Sequence, residues 1–153
     1  LRKTTQYFAM FLFDLINDPP VQNLPMADLW RFLPIGYFFT ILIETPVLLV
    51  GLSPKVTLKQ KLLCGVWLTA CTYPIVILVL PAVFFGSSRF VYLTVAEIFA
   101  PVAECMLFWL AFRGKGELSP TDWVRSLAAI VAANLASFGF GEIMNSNAWF
   151  GLF

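Results

Sequence analysis

The sequence predicts an all-α protein, a polytopic integral membrane four-helix bundle with a short interfacial helix at its N-terminus. Three observations carry that expectation. The 153 residues are 59% hydrophobic, with 16 phenylalanines, and only 12% charged, whereas soluble domains carry about 25% charge. Four stretches are apolar over the roughly 20 residues that a helix needs to cross a bilayer core. The lysines and arginines cluster in short segments between those stretches.

Residues 1–33 form the first unit. "TQYFAMFLFDLIND" is apolar but too short between its polar ends to cross, so it reads as an interfacial helix, with a shortened fifth span as the alternative. No small-residue cleavage site follows it, so residues 1–17 do not resemble a secretory signal. "NDPPVQNLPMADLWRF" reads as a proline-rich surface connection. The second unit, 34–153, holds the four spans. Span one covers 34–52, opening with Pro34 at a first helical position and closing near Gly51 and Pro54. Span two covers 61–85 and ends at "GSSR". Span three covers 90–112. Span four covers 123–144 and follows the cap-like "SPTDW".

Orientation follows the basic residues. The loop at 53–61 holds Lys55, Lys59 and Lys61, and that at 113–125 holds Arg113, Lys115 and Arg125. Both are expected on the cytoplasmic side, while Arg2 and Lys3 fit that orientation less well. Trp30, Trp109, Trp123 and Trp149 fall near span ends, as an interfacial aromatic belt would place them. A faint repeat pairs "IETPVLL" of span one with "AECMLFW" of span three. Each is followed by a basic loop and then by a span with small polar residues at its middle. Two similar hairpins related by an axis along the membrane normal would fit it, and so would chance.

The unusual residues are carboxylates inside the spans. Glu44 lies eight residues before Leu52 and Glu104 eight before Phe112, which puts each roughly 12 Å from the basic end of its helix. Thr69 counts to the same level, and Tyr73 and Asn134 sit about one turn further out. Glu97 precedes Glu104 by seven residues, so the two share a face about 10.5 Å apart. Glu142 is near the outer end of span four, where Asn134, Ser137 and Gly141 form a polar, small stripe. Pro46, Pro74 and Pro101 free the carbonyls of Leu42, Ala70 and Glu97. A charge at the bilayer centre is costly by at least about 2.5 kcal/mol. The acids therefore hold protons, share a cation, or meet a cationic group from a ligand or another subunit. The plainer alternative is that protonated glutamates join helices by hydrogen bonds to Asn, Thr or Tyr, adding roughly 0.6–2 kcal/mol per bond.

Much is excluded. Without histidine the chain lacks the commonest general base and zinc ligand, and no haem is expected. Cys64, Cys71 and Cys105 form no CxxC and read as buried free thiols. No P-loop, GxSxG or HExxH occurs, and the net charge of +1 suggests no nucleic-acid partner. Two functional readings stand. In the first, a small membrane protein handles protons or cations, with Glu44 and Glu104 as the central pair and Glu97 and Glu142 as the outward relay. Thr69, Tyr73, Asn134 and Ser137 are its supporting polar groups. Glu44 and Glu104 are then the candidates for a metal, and a divalent cation is the cofactor they suggest. In the second, the chain is a non-catalytic accessory subunit whose acids pair with neighbours. Beyond the lipid bilayer, its partners are a second copy of itself or other membrane subunits. An intramembrane enzyme ranks third, since no nucleophile and base are arranged together.

Overall fold

A computed structural model describes residues 26–114 and 118–146. The expected interfacial helix, Lys115 and Trp149 lie outside the described residues. Within them the chain is all-helical: α1 is Met26–Gly51, α2 Leu58–Val83, α3 Arg89–Phe112 and α4 Pro120–Ser146. Each contains a segment of 23 to 26 residues long and apolar enough to cross a membrane. Short connections force successive helices to run antiparallel. α1 packs against α2 and α4, and α3 packs against the same two, so the four stand at the corners of a square. One end carries the basic loops and is called the basic end below. The other carries the α2–α3 turn and the end of α4.

The helix boundaries differ from the hydropathy boundaries for reasons of local chemistry. α1 starts at Met26, inside the stretch read as a surface connection, and Pro34 sits within the helix rather than at its first position. A proline's fixed φ suits a helix, and Pro34 removes only the bond to the Trp30 carbonyl. α2 starts at Leu58 because Thr57 and Gln60 form a capping box, with the Thr57 side chain accepting from Gln60 N and the Gln60 side chain accepting from Thr57 N. α3 is capped by the Ser88 side chain, which accepts from Val91 N, after a turn in which Gly86 takes φ +78°. Ser119 caps α4, accepting from Asp122 N at 3.3 Å while Asp122 accepts from Ser119 N at 2.9 Å. Pro120 follows at the first helical position, as the "SPTDW" pattern anticipates.

In the second half of α2 the helix widens to a π turn, Ile75–Val79, directly after Pro74. The Leu80 N–H bonds Ile75 O rather than Val76 O. The next donor in register would be Pro81, which has no N–H. The Val76 carbonyl is thereby released, and the Tyr92 hydroxyl of α3 donates to it at 3.2 Å. A helical irregularity thus becomes a link between α2 and α3.

The main cluster of buried apolar residues lies in the basic half. Leu48, Leu52, Leu68, Phe108 and Ile130 are among its fully buried members, with Phe108 stacked on Phe112 at 4.5 Å. Trp123, half-buried in the first turn of α4, packs edge-on against Phe108 at 5.8 Å and so also borders this core. Trp30 and Trp109 are exposed. Cys64, Cys71 and Cys105 are all free thiols.

The end of α1 is capped by its neighbours. The last four carbonyls of a helix have no intrahelical donor. Lys61 Nζ bonds Leu49 O at 3.0 Å and Leu52 O at 2.9 Å. Arg125 bonds Gly51 O at 2.9 Å and Val50 O at 3.1 Å. Two cations thus cover four carbonyls at the negative end of the helix dipole. Lys61→Met and Arg125→Met are each expected to lower stability by about 1 kcal/mol, read as a fall in thermal midpoint in detergent. An unchanged midpoint in both would refute the capping role.

Candidate functional site

Glu44 of α1 and Glu104 of α3 stand at opposite corners of the square, and each is only 2% exposed. α2 and α4 lie between them and serve both. Thr69 of α2 donates to Glu44 Oε2 at 2.7 Å and Ser137 of α4 to Glu44 Oε1 at 2.7 Å. Thr72 of α2 donates to Glu104 Oε1 at 2.8 Å and Asn134 of α4 to Glu104 Oε2 at 2.8 Å. All four carboxyl oxygens therefore have a side-chain partner. The pattern has a two-fold character: exchanging α1 with α3 and α2 with α4 carries Thr69 to Asn134 and Thr72 to Ser137. Both pairs are spaced by three residues. That is the relation a doubled hairpin produces.

The donors have a property that matters chemically. Thr69 Oγ1 also reaches Gly65 O at 3.1 Å, Thr72 Oγ1 reaches Leu68 O at 3.2 Å, and Ser137 Oγ reaches Asn134 O at 2.9 Å. A hydroxyl carries one proton and can donate it to only one acceptor at a time. Beside an ionised glutamate it donates to the carboxylate. Beside a protonated one it accepts the acid proton and turns its own to the backbone carbonyl. Rotation about one C–O bond thus satisfies either charge state with no helix moving. Asn134 uses both amide hydrogens, since Nδ2 also bonds Ile130 O at 3.0 Å.

Beyond the acids, away from the basic end, the four helices line a partly open cavity of about 300 Å³. Glu44 and Glu104 form its floor with Thr69, Thr72, Asn134 and Ser137. Glu97 lines the wall, and Arg89 and Glu142 line the far end, where they form an ion pair at 2.8 Å. On the other side of the floor lies the packed core. The site is accordingly polar at mid-length, hollow toward one end and sealed toward the other.

The residues expected from the sequence come together. Glu44, Glu97, Glu104, Glu142, Thr69, Tyr73, Asn134 and Ser137 all line this one cavity. Tyr73 has a different place from the expected one. It stands beside Gly36, with its ring 6.1 Å from that of Tyr37, and is not among the donors to the acids. Thr72 and Arg89 are additions. Thr72 is three residues from Thr69 in "LTACTYP", so the signal was there. Arg89 shows no relation to Glu142 in the sequence.

As for a metal, no group of three or more His, Cys, Asp or Glu stands close enough to hold one among the described residues. Each carboxyl oxygen of Glu44 and Glu104 already accepts a bond from a hydroxyl or an amide. Among the described residues no hydrogen bond or ion pair holds Glu97. No protein-family model, curated protein or solved structure matches this chain. The class that fold and site define is accordingly physical: four apolar helices around a cavity with two buried carboxyls at its base.

Proposed function

We propose that this chain is an integral membrane protein that takes up protons or small cations from one side onto the Glu44–Glu104 pair. The observation that carries the reading is the cavity that joins the far end of the bundle to two buried carboxyls and stops there. Glu142 and Glu97 mark the route, and the hydroxyls of Thr69, Thr72 and Ser137 let the pair gain or lose a proton without disturbing the helices. With the basic loops cytoplasmic, the cavity faces the non-cytoplasmic side. Transport then requires the core at Leu48, Leu68, Phe108 and Ile130 to open in alternation with the cavity. Four helices of one chain line the cavity, so its described lining needs no second copy.

The test is proton or cation uptake by the purified chain in proteoliposomes under an imposed gradient. Glu44→Gln and Glu104→Gln are expected to lower the rate at least about tenfold, the range expected when a proton-transfer group is removed. Glu142→Gln should lower it less, because water reaches that residue. Wild-type flux no greater than that of empty liposomes, or variants indistinguishable from wild type, would remove the proposal. An accessory subunit would instead co-purify with fixed partners from native membranes, and the same substitutions would weaken that assembly.

A further inference from the structure

We propose that the cavity is the binding site of an organic ammonium ion with an apolar body, its charged head at the Glu44–Glu104 floor in exchange for a proton. The inference rests on the proton-handling reading above and names the ligand class. Size is the first argument. The cavity of about 300 Å³ reaches the lower bound of small-molecule sites, about 300–1,000 Å³. A bare metal ion needs no such room, because its ligands close to within about 2.6 Å.

The walls are the second argument. Phe32, Ile35, Phe39, Leu93, Phe138 and Phe140 line the space above the acids. A vestibule for a hydrated ion is better served by polar walls, whereas these favour a hydrocarbon or aromatic body. Aromatic faces also attract an ammonium electrostatically.

Charge is the third. Among the described residues, four carboxyls, Glu44, Glu97, Glu104 and Glu142, line the cavity against one guanidinium, Arg89, and that guanidinium is paired with Glu142. An anionic or zwitterionic head would meet this floor unfavourably. A neutral chain would leave the acids without use. An ammonium N–H can bond the second lone pair of carboxyl oxygens that already accept one bond from the protein. On entry the ammonium replaces one acid proton, which leaves through the cavity to water, so charge at the floor is conserved.

The experiment uses the full chain in detergent and calorimetric titration with phenethylammonium, in two buffers of different ionisation heat so that released protons are counted. Phenethyl alcohol supplies the body without the charge, methylammonium the charge without the body, and calcium chloride the inorganic alternative. The expected result is phenethylammonium binding with proton release, and affinities at least about tenfold weaker for the other three. Glu104→Gln should weaken phenethylammonium binding by at least about tenfold. Phe138→Ala, which removes a wall, should weaken it while leaving the proton titration in place, and Ala100→Leu, which adds bulk to the cavity lining, should weaken it too. Equal binding of the alcohol, or displacement by calcium at equal concentration, overturns the inference. Glu104-dependent proton uptake without phenethylammonium binding overturns the ligand and keeps the proton reading. Phenethylammonium binding without any Glu104-dependent proton uptake keeps the ammonium site and overturns the proton reading.

Discussion

Thr69→Val is expected to destabilise the bundle more than Glu44→Leu does, although the glutamate is the charged residue. Removing the Thr69 hydroxyl leaves Glu44 Oε2 in a site 2% exposed without its 2.7 Å donor. An orphaned buried oxygen costs about 1–3 kcal/mol. Removing the carboxyl orphans nothing, because Thr69 and Ser137 return their protons to Gly65 O and Asn134 O, already in reach. Glu44→Leu should therefore stay within about 1 kcal/mol of wild type, as replacements of buried charge by apolar groups often do. In the double variant Thr69→Val should become nearly silent, a coupling of about 1–2 kcal/mol. Reversible unfolding in mixed micelles reads all three. The inequality should shrink or vanish for Thr72→Val against Glu104→Leu, because losing Glu104 leaves one buried Asn134 amide hydrogen without its acceptor. If the glutamate variants prove the more damaging, the acids act as packing bonds that the hydroxyls cannot replace, and the account of the site in two charge states is lost.

That inequality follows from how the bundle divides its length. Toward the basic end, packed side chains and capped carbonyls hold the helices together. Lys55 and Ser53 meet Asp122 there at 2.8 Å and 2.7 Å, and Ser126 Oγ accepts from Ser53 N at 3.2 Å. Toward the other end the helices surround the cavity and are joined by Arg89–Glu142 and by Tyr92 to Val76 O. A membrane gives apolar helices little reason to associate through hydrophobicity, since lipid is equally apolar. Close packing and polar links carry the association instead. The tight half anchors the fold, and the looser half has room for a ligand.

Most of the site's level was legible in the sequence because depth along a helix is simple counting. Glu44, Glu104, Thr69 and Asn134 count to nearly one height, and the structure joins them there. Azimuth was not legible. Counting does not show which face turns inward, so depth alone selects Tyr73 as a partner of the acids, whereas Thr72 is the residue that donates to Glu104. The starts of α1 and α2 were misplaced for another reason. Hydropathy marks where a helix becomes apolar, whereas Thr57 and Gln60 begin α2 in polar sequence by capping. The Arg89–Glu142 pair and the Lys61 and Arg125 caps depend on neighbouring helices, which no local pattern reveals. The released Val76 carbonyl required knowing that Pro74 and Pro81 bracket a π turn rather than a plain kink.

Gly65→Ala is expected to lower stability by about 1–3 kcal/mol, the range for an overpacked interior contact. It should do so although alanine is the better helix former by about 1 kcal/mol. A Cβ at Gly65 would lie 2.4 Å from Thr45 Oγ1 and 3.0 Å from Thr45 Cβ, so α1 and α2 would have to separate at the level just below the acids. Thr45 Oγ1 is also a buried side-chain oxygen with no hydrogen-bond partner. Thr45→Ala alone should thus be neutral or mildly stabilising. Combined with Gly65→Ala, it should restore most of the lost stability, because the two nearest clashing groups beyond Cβ are gone. Gly36→Ala is the contrasting case. The group in its way is the end of the Tyr73 side chain, which can swing aside, so stability should change little while the cavity wall shifts. Thermal midpoints in detergent for the four variants decide it. A Gly65→Ala midpoint equal to wild type would mean that α1 and α2 are not in close contact there, and the registry that brings Thr69 to Glu44 would fail with it.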